Sequence, residues 1–591
     1  MNLTNCITIL SGVLLLSACG SSSNDKSEPI TTQDPVSTVT PEEQQELSNV
    51  NIKLNQLGFL PNADKVAIIP NVESTTFELV SSETDSVVFE GNLSGASSWE
   101  LAGEAKTKQA DFSGFNTQGT YFIRVSGVND SSTFEINNHV YSSLHDAALK
   151  FYYFNRASQE IIEPYGEQWI RAAGHLDQQV KVHASAATEQ RPPLTVISSP
   201  KGWYDAGDYG KYVVNSGIST YTLLAAYEHF PTFYQDRNIT IPESNDAIPD
   251  ILNETLWNLE WLETMQDLDG GVYHKLTTLN WPGLEMPDED QRDRYVIGKT
   301  TAASLNLAAV LAMASRVYEP FESSLPNKRE AWLTSAKAAW NWAVENPNEY
   351  YQQPEDVSSG EYGDIVLNDE FAWAAAELFI TTKDVEYLKQ FQKYRNGQSV
   401  PSWASVSYLA LSTLLMKGED IIDPIEFQSL KTDQLSLADN LVEQYKDNSY
   451  RVSLVTSDFV WGSNAAALNK ALILMQANQL TDESKYRDGA INILDYILGR
   501  NPTDYSFVTG FGDKTPMNPH HRVSESDNNI EPVPGMLVGG PHAGRQDKCN
   551  YVFLEAVKSY LDDWCSFSTN EVTINWNAPL VYVLAALNET D

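Results

Sequence analysis

Two hydrophobic periods divide the chain near residue 138. Between Val50 and Asn137, short apolar runs alternate with turn residues at Val66–Ile69, Phe77–Val80, Val87–Phe89, Thr120–Val125 and Ser132–Ile136. Runs of this length, rich in β-branched and aromatic side chains, predict strands. About 90 residues of them suit a small immunoglobulin-like β-sandwich. From residue 138 to residue 591 the period lengthens. Leu144, Ala147, Ala148, Phe151 and Tyr152 fall three and four residues apart within Tyr141–Ser158, on one face of a helix. The same spacing predicts helices over Ile248–Met265, Ala302–Tyr318, Glu330–Val344, Asp369–Thr382, Val406–Met416, Ala465–Gln479 and Tyr486–Leu498. With strands nearly absent, some 450 residues holding roughly a dozen helices predict a mainly α domain, an (α/α)6 toroid of paired inner and outer helices.

The first 49 residues belong to neither pattern. Residues 1–18 contain the apolar stretch Ile7–Leu16, too short to span a bilayer and of the length of a secretory signal. It ends in Leu16-Ser17-Ala18-Cys19-Gly20, which resembles a bacterial lipobox, so cleavage before Cys19 would leave that thiol to carry diacylglycerol. Residues 19–49 hold no aromatic side chain and are rich in Ser, Thr, Pro, Glu and Gln, the composition of a disordered tether. Gly20-Ser21 shows no Asp retention signal, which points to the outer membrane in a Gram-negative cell, or to secretion if the lipid is lacking.

Charge narrows the partners. The chain carries 39 basic and 79 acidic side chains, a net of −40, which repels nucleic acid and leaves the lipid as its one route to a membrane. With Cys6 removed and Cys19 modified, Cys549 and Cys565 remain, and an oxidising compartment permits one disulfide. A straight helix would part them by about 24 Å, beyond the roughly 7 Å limit, so a bond requires a bent segment between them.

Three clusters carry the polar residues that chemistry would use. The first, Lys201-Gly202-Trp203-Tyr204-Asp205-Ala206-Gly207-Asp208-Tyr209-Gly210-Lys211-Tyr212, sets two carboxylates three residues apart among turn-forming glycines and aromatics, a set able to orient one water. The second, Ser506 to Lys514 followed by Pro519-His520-His521-Arg522, offers donors for sugar hydroxyls. Zinc on the His pair lacks a third ligand. The third runs Tyr560-Leu561-Asp562-Asp563-Trp564, then Phe567-Ser568-Thr569-Asn570-Glu571 before an apolar helical run. Each alone has a bland explanation, a cap or a solvated loop. Together they supply one proton donor and one water activator, the minimum for cutting a glycosidic bond.

On these motifs the chain resembles glycoside hydrolase family nine, endoglucanases and cellodextrinases built on an (α/α)6 toroid. The resemblance covers about residues 50–587, since Asn55-Gln56-Leu57-Gly58-Phe59-Leu60-Pro61 is similar to the start of the immunoglobulin-like module that precedes many such domains. It implies inversion, with Asp208 as general base, Asp205 helping to hold the water and Glu571 as general acid. It implies that His520 and Arg522 touch substrate and that Asp562 is a second motif carboxylate near the acid. An acid that keeps its proton needs burial, for which Trp576 is a candidate wall. Trp203, Tyr204, Trp281, Trp403 and Trp461 are candidate sugar-stacking platforms. The chemistry itself requires no cofactor. A structural calcium is expected of many relatives beside an Asp-Glu pair, here Asp369-Glu370, although Ile365 and Val366 stand where oxygen donors would help; the zinc site of some relatives uses Cys, and none remains in the matching region.

The expected substrate is β-1,4-glucan, as polysaccharide or oligosaccharide. An exo-acting hydrolase of glucosamine oligomers, drawn by the acidic surface, is the alternative. A carbohydrate-binding protein without catalysis would require a missing acid or base, and neither is missing. For the envelope anchor, Cys19→Ser should move the protein from the membrane fraction to the soluble one and abolish incorporation of radiolabelled palmitate; membrane retention with unchanged labelling would refute lipidation at Cys19.

Overall fold

The computed structural model of the chain describes residues 51–103, 106–446 and 448–589; Cys6, Cys19 and the expected signal and tether lie outside them. Among the described residues no helix is long and apolar enough to cross a membrane.

The first seven strands are β1 (Gly58–Phe59), β2 (Val66–Pro70), β3 (Thr76–Ser81), β4 (Ser86–Asn92), β5 (Thr107–Asp111), β6 (Gly119–Arg124) and β7 (Phe134–Ile136). They form a five-stranded sheet in the order β1-β7-β6-β3-β4 and a β2-β5 pair. The core joining the two includes Ile69, Leu79 and Ile123, with Phe59 meeting Phe112 and Phe134 edge-on at 5.2 Å in each case. Five strands stand where the alternation predicts them. The other two do not announce themselves: β1 is two residues long, and β5 reads Thr-Lys-Gln-Ala-Asp.

Twelve helices of ten residues or more follow among the described residues: α1 (Ser142–Phe154), α2 (Val213–His229), α3 (Asp250–Thr264), α4 (Thr301–Val317), α5 (Lys328–Glu345), α6 (Asn368–Thr382), α7 (Val385–Tyr394), α8 (Ser407–Lys417), α9 (Pro424–Lys446), α10 (Ser463–Thr481), α11 (Ser484–Ile497) and α12 (Ile574–Glu589). Helices α2, α4, α6, α8, α10 and α12 are buried on nearly every face and form the inner ring. Each packs against its ring neighbours, with Tyr408 of α8 donating to Gln476 of α10 at 2.8 Å. The remaining six form the outer ring; α5 buries Trp332, Ala336, Ala339, Trp340, Trp342 and Ala343 and keeps its charged residues toward solvent. This is the (α/α)6 toroid that the helical periodicity and the family resemblance imply.

The expectation that strands are nearly absent after residue 138 needs correction. Strands β8 (Val180–Val182), β9 (Val196–Ile197), β10 (Lys211–Tyr212), β11 (Val272–Thr277) and β12 (Tyr295–Thr300) form a second five-stranded sheet in the order β10-β11-β12-β8-β9. Three of these strands have two or three residues, too few to show a period. The longer β11 buries His274 and Lys275 at its centre, so it does not read as apolar. The sheet matters because β10 continues directly from the first chemical cluster.

The two domains are joined by polar contacts. Asn55 donates to the Asp495 carboxylate at 2.9 Å and to the Tyr141 hydroxyl at 3.1 Å. The Gln56 amide accepts from the backbone of Asp513 and Lys514, each at 2.9 Å, and donates to the Asp504 carbonyl at 2.9 Å. The motif Asn55-Gln56 therefore braces the loop that leads to His520.

Candidate active site

The loop 201–212 is fixed from behind by buried charge. Asp177 pairs with Lys211 at 2.8 Å and with Arg294 at 3.0 Å, and Arg294 donates to the Tyr209 carbonyl at 2.6 Å. Burial works against the Asp177 carboxylate, but Arg294 and Lys211 together hold its pKa below the usual range. The turn itself needs glycine at position 207, where a Cβ would come within 2.2 Å of the His520 carbonyl oxygen. The first and second clusters thus meet backbone to backbone.

Asp205 and Asp208, 1% and 5% exposed, face the same space with different partners. Asp205 accepts from the Asn215 amide at 2.5 Å and from the Tyr362 hydroxyl at 2.7 Å. Asp208 accepts from the Gly210 N–H at 3.0 Å, with the Tyr212 hydroxyl at 3.5 Å. Burial pushes Asp205 up to about 8 against those two donors, and no cation opposes it. Burial also raises Asp208, but there Arg522, the Gly210 N–H and Arg294 pull the other way. Of the pair, Asp208 has the surroundings of a carboxylate that stays ionised.

The third cluster enters beside them. Glu571 lies in an extended segment after the short helix Phe567–Asn570, its carbonyl accepting from Gly539 at 2.9 Å. Its neighbour Asn570 accepts through its carbonyl from the His520 N–H at 2.8 Å. The side chain does not act as a cap for α12; it faces the Gly207 N–H in the first cluster. Burial, then the charges of Asp208 and Asp205, drive its pKa well above the usual range, with Arg522 opposing. Trp576 packs against Gly462 and Gly539, beside the acid's backbone partner.

The remaining candidates fall into three groups. His520 stacks on Trp564 at 4.1 Å and shares a hydrogen bond of 2.8 Å with the Trp564 carbonyl, which requires the proton on Nδ1 and leaves Nε2 as an acceptor. Burial pushes its pKa down to about 4, so the ring is neutral near pH 7. Arg522 donates to the carbonyls of Gly207 at 2.8 Å and Gly283 at 3.2 Å, clamping two loops as well as facing the carboxylates. Asp562 does not reach the cluster of acids. Its two oxygens accept from the backbone of Met517 and Asn518 at 2.8 and 2.9 Å, and Asn570 donates to it at 3.1 Å, so it positions the His520 loop and the segment before Glu571.

Two of the expected sugar platforms are not platforms. Trp203 is 0% exposed and donates to Glu254 at 2.8 Å; Tyr204 is 1% exposed and hydrogen-bonded to His175 at 2.8 Å. Both are walls of the core, Trp203 packing on Tyr152 and Tyr204 on Tyr209. Trp281 and Trp461 are 45% and 42% exposed. Trp461 packs on Phe567, four residues before the acid, and Trp403 meets Tyr362 edge-on at 5.1 Å. Tyr362 and Asn215 escaped the sequence reading, and Tyr212 and Trp564, which stand inside the first and third clusters, were given no role there; for Tyr362 the Gly360-Glu361-Tyr362-Gly363 setting carries a signal.

The Cys549–Cys565 disulfide is formed, with Cα atoms 6.1 Å apart across a bent, largely irregular segment. The two histidines of the second cluster diverge, His521 turning to Ser524 and Asn155. Among the described residues no group of three or more His, Cys, Asp or Glu is arranged to hold a metal ion. Beside the place expected for calcium, Asp364 Oδ2, Asp369 Oδ1 and both Glu370 oxygens are buried without partners, carboxylate oxygens of the kind a hard cation takes, while the side chains of Ile365 and Val366 add none. Burial, then Asp369 and Asp364, push Glu370 well up.

Against known proteins, residues 141–584 match the model for glycosyl hydrolase family 9, and residues 48–130 match the cellulase N-terminal ig-like domain. The chain belongs to glycosyl hydrolase family 9. This family 9 hydrolase is 40% identical to a xyloglucan-specific endo-beta-1,4-glucanase of Bacteroides ovatus, over 92% of this chain and 94% of the relative. It is 33% identical to endoglucanase D of Acetivibrio thermocellus, over 90% and 83%. A solved family 9 structure from Bacteroides ovatus superposes with a TM-score of 0.86 at 39% identity, over 91% of this chain and 99% of that one.

One outcome follows for this family 9 hydrolase. Asp562→Ala should lower kcat about 10- to 100-fold through a displaced loop, while costing only about 1–3 kcal/mol of stability in chemical denaturation; undiminished turnover would show that the loop needs no such anchor.

Proposed function

We propose that the enzyme hydrolyses β-1,4-glucan with inversion, Asp208 acting as general base and Glu571 as general acid. The observation that carries this reading is the convergence of three carboxyl groups from residues 205, 208 and 571 in one field. Glu571 is pushed well above the usual range by burial and then by the other two, whereas Asp208 has cations to hold it ionised. Two similar acids are thereby separated into a donor and an acceptor of protons.

In the proposed reaction Glu571 gives its proton to the glycosidic oxygen as the C1–O bond breaks. A water on the opposite face of the sugar attacks C1, and Asp208 takes the proton that this water releases. Asp205, locked between Asn215 and Tyr362, holds the same water. His520 offers Nε2 to a sugar hydroxyl, and Arg522 keeps loop 207 against loop 283. Trp281, Trp403 and Trp461 provide faces for sugar rings. No cofactor enters these steps.

The 40% identical relative named for xyloglucan supports a branched glucan as the substrate, and the endoglucanase names support internal cleavage. The net charge of −40 is the observation favouring cationic glucosamine oligomers instead. Anchoring through Cys19 would place the enzyme at the cell envelope, facing soluble fragments of such polysaccharides.

Xyloglucan, carboxymethylcellulose, cellotetraose and chitosan oligomers should be compared by reducing-sugar release, with xyloglucan expected first; chitosan activity alone would reject the glucan assignment. Proton NMR of the earliest product should show the α anomer, and a β product would reject inversion. Asp208→Ala and Glu571→Ala should each lose about 100- to 10,000-fold in kcat. Because Glu571 holds its proton well above the usual carboxyl range, the alkaline limb of the activity profile should lie well above that range, while an acid limb should report the ionisation of Asp208; an alkaline limb within the usual carboxyl range would reject Glu571 as the acid.

A further inference from the structure

Strand β10 pairs with β11 so that Tyr212 stands opposite Lys275. Lys275 is fully buried. Its Nζ donates to the Gly360 carbonyl at 2.6 Å, the Gln353 side-chain oxygen at 3.0 Å and the Ser359 carbonyl at 3.3 Å. The ammonium sits over two aromatic rings, 5.0 Å from the centre of Tyr351 and 5.7 Å from that of Tyr212. Every contact is to a neutral group, and among the described residues Lys275 makes no ion pair, whereas the buried Lys211 and Lys470 are paired with Asp177 and Asp458.

A buried ammonium without a counter-ion is costly, and a neutral side chain of the same length would fill the space more cheaply. The reason for a cation lies on the far side of Tyr212. That hydroxyl faces Asp208 at 3.5 Å, and its ring meets Tyr362 at 4.8 Å, the residue whose hydroxyl donates to Asp205. Lys275 also grips Ser359 and Gly360, three and two residues before Tyr362. The charged or titratable groups around Lys275 are Asp208 and Tyr212 from the 201–212 loop, Tyr351 and Glu361 from the segment it grips, and His274 on its own strand. Of these only Asp208 and Glu361 are carboxyl groups; burial raises both tyrosines above their usual range, so their hydroxyls stay neutral.

We propose that Lys275 is a positioning residue for the base side of the cleft: its ammonium ties the 359–362 segment to the β10-β11 pair, so that Tyr362 and Tyr212 keep their places on the two aspartates, and its charge favours the ionised form of Asp208. The inference rests on the reading of Asp208 as general base. Burial lowers the ammonium to about 7 while Glu361 and Asp208 raise it, so below neutrality, where Asp208 must ionise, Lys275 carries its charge.

Lys275→Met and Lys275→Arg in the full chain should be compared with wild type for kcat and KM on xyloglucan or carboxymethylcellulose, from about pH 4 to 9, with thermal unfolding alongside. In the Met variant kcat should fall roughly 10- to 100-fold with KM within about twofold, and the acid limb should move up by about half a pH unit or more, while Arg keeps the limb in place. An acid limb at the wild-type pH in the Met variant, or wild-type kcat, overturns the proposal, whatever happens to its unfolding temperature. Should the Met variant not fold, Lys275→Gln replaces it under the same criteria. Asp208→Asn, measured in parallel, separates the two ideas: its full activity would remove the base assignment, whereas its expected loss beside an unmoved acid limb at position 275 would remove only the role of Lys275.

Discussion

Carboxyl groups that share a water-poor space raise one another's affinity for protons, and this repulsion is what the site is arranged to exploit and contain. Asp205, Asp208 and Glu571 arrive from loops more than 350 residues apart in the chain yet feel one another's charge. Without opposing groups all three would hold protons and no base would exist. The containment comes from Arg522 and Arg294 on the Asp208 side, and from hydrogen-bond donors rather than cations on Asp205. Much of the architecture behind the cleft, the Asp177 ion cluster and the β10-β11 pair included, is the scaffold that keeps those few donors aimed.

The same logic explains why the toroid is so polar at its inner ends. Each inner helix must close its core on one side and deliver a loop to the cleft at its start. Asn215, in the first turn of α2, reaches Asp205 and Thr573 at 2.5 and 3.1 Å, so a single amide links the Asp208 loop to the segment just after Glu571. Gly207 lets backbones approach where any side chain would hold them apart, and the first two clusters then hydrogen-bond main chain to main chain, Arg522 N–H to the Gly207 carbonyl.

How legible was this in the sequence? The β-sandwich and eight of the helices follow from the spacing of their apolar residues. Helix α2 does not. Its first ten residues, Val-Val-Asn-Ser-Gly-Ile-Ser-Thr-Tyr-Thr, are poor helix formers, and burial on all sides supplies there what propensity lacks; Ser219 and Thr222 direct their hydroxyls to the carbonyls of Asn215 and Ile218. The long outer helix α9 is missed for the opposite reason, since few of its residues are buried. Among site residues, the carboxylates, His520 and Arg522 were legible through motif chemistry. Trp203 and Tyr204 were misjudged because an aromatic in a catalytic loop serves the core or the sugar depending on which way the backbone turns, and spacing does not say. Tyr362 and Lys275 act on the aspartates from distant segments, so no local pattern reveals them.

The disulfide has a consequence for where this protein becomes an enzyme. It closes the segment that ends at Cys565, next to Trp564, whose ring and carbonyl seat His520, and six residues before the acid. A reducing cytoplasm would leave both thiols free and that wall of the cleft unfastened. Export would then be a finishing step in the making of the cleft as well as delivery, and material produced inside a reducing host would differ from the exported form in just the segment that lines the acid's side.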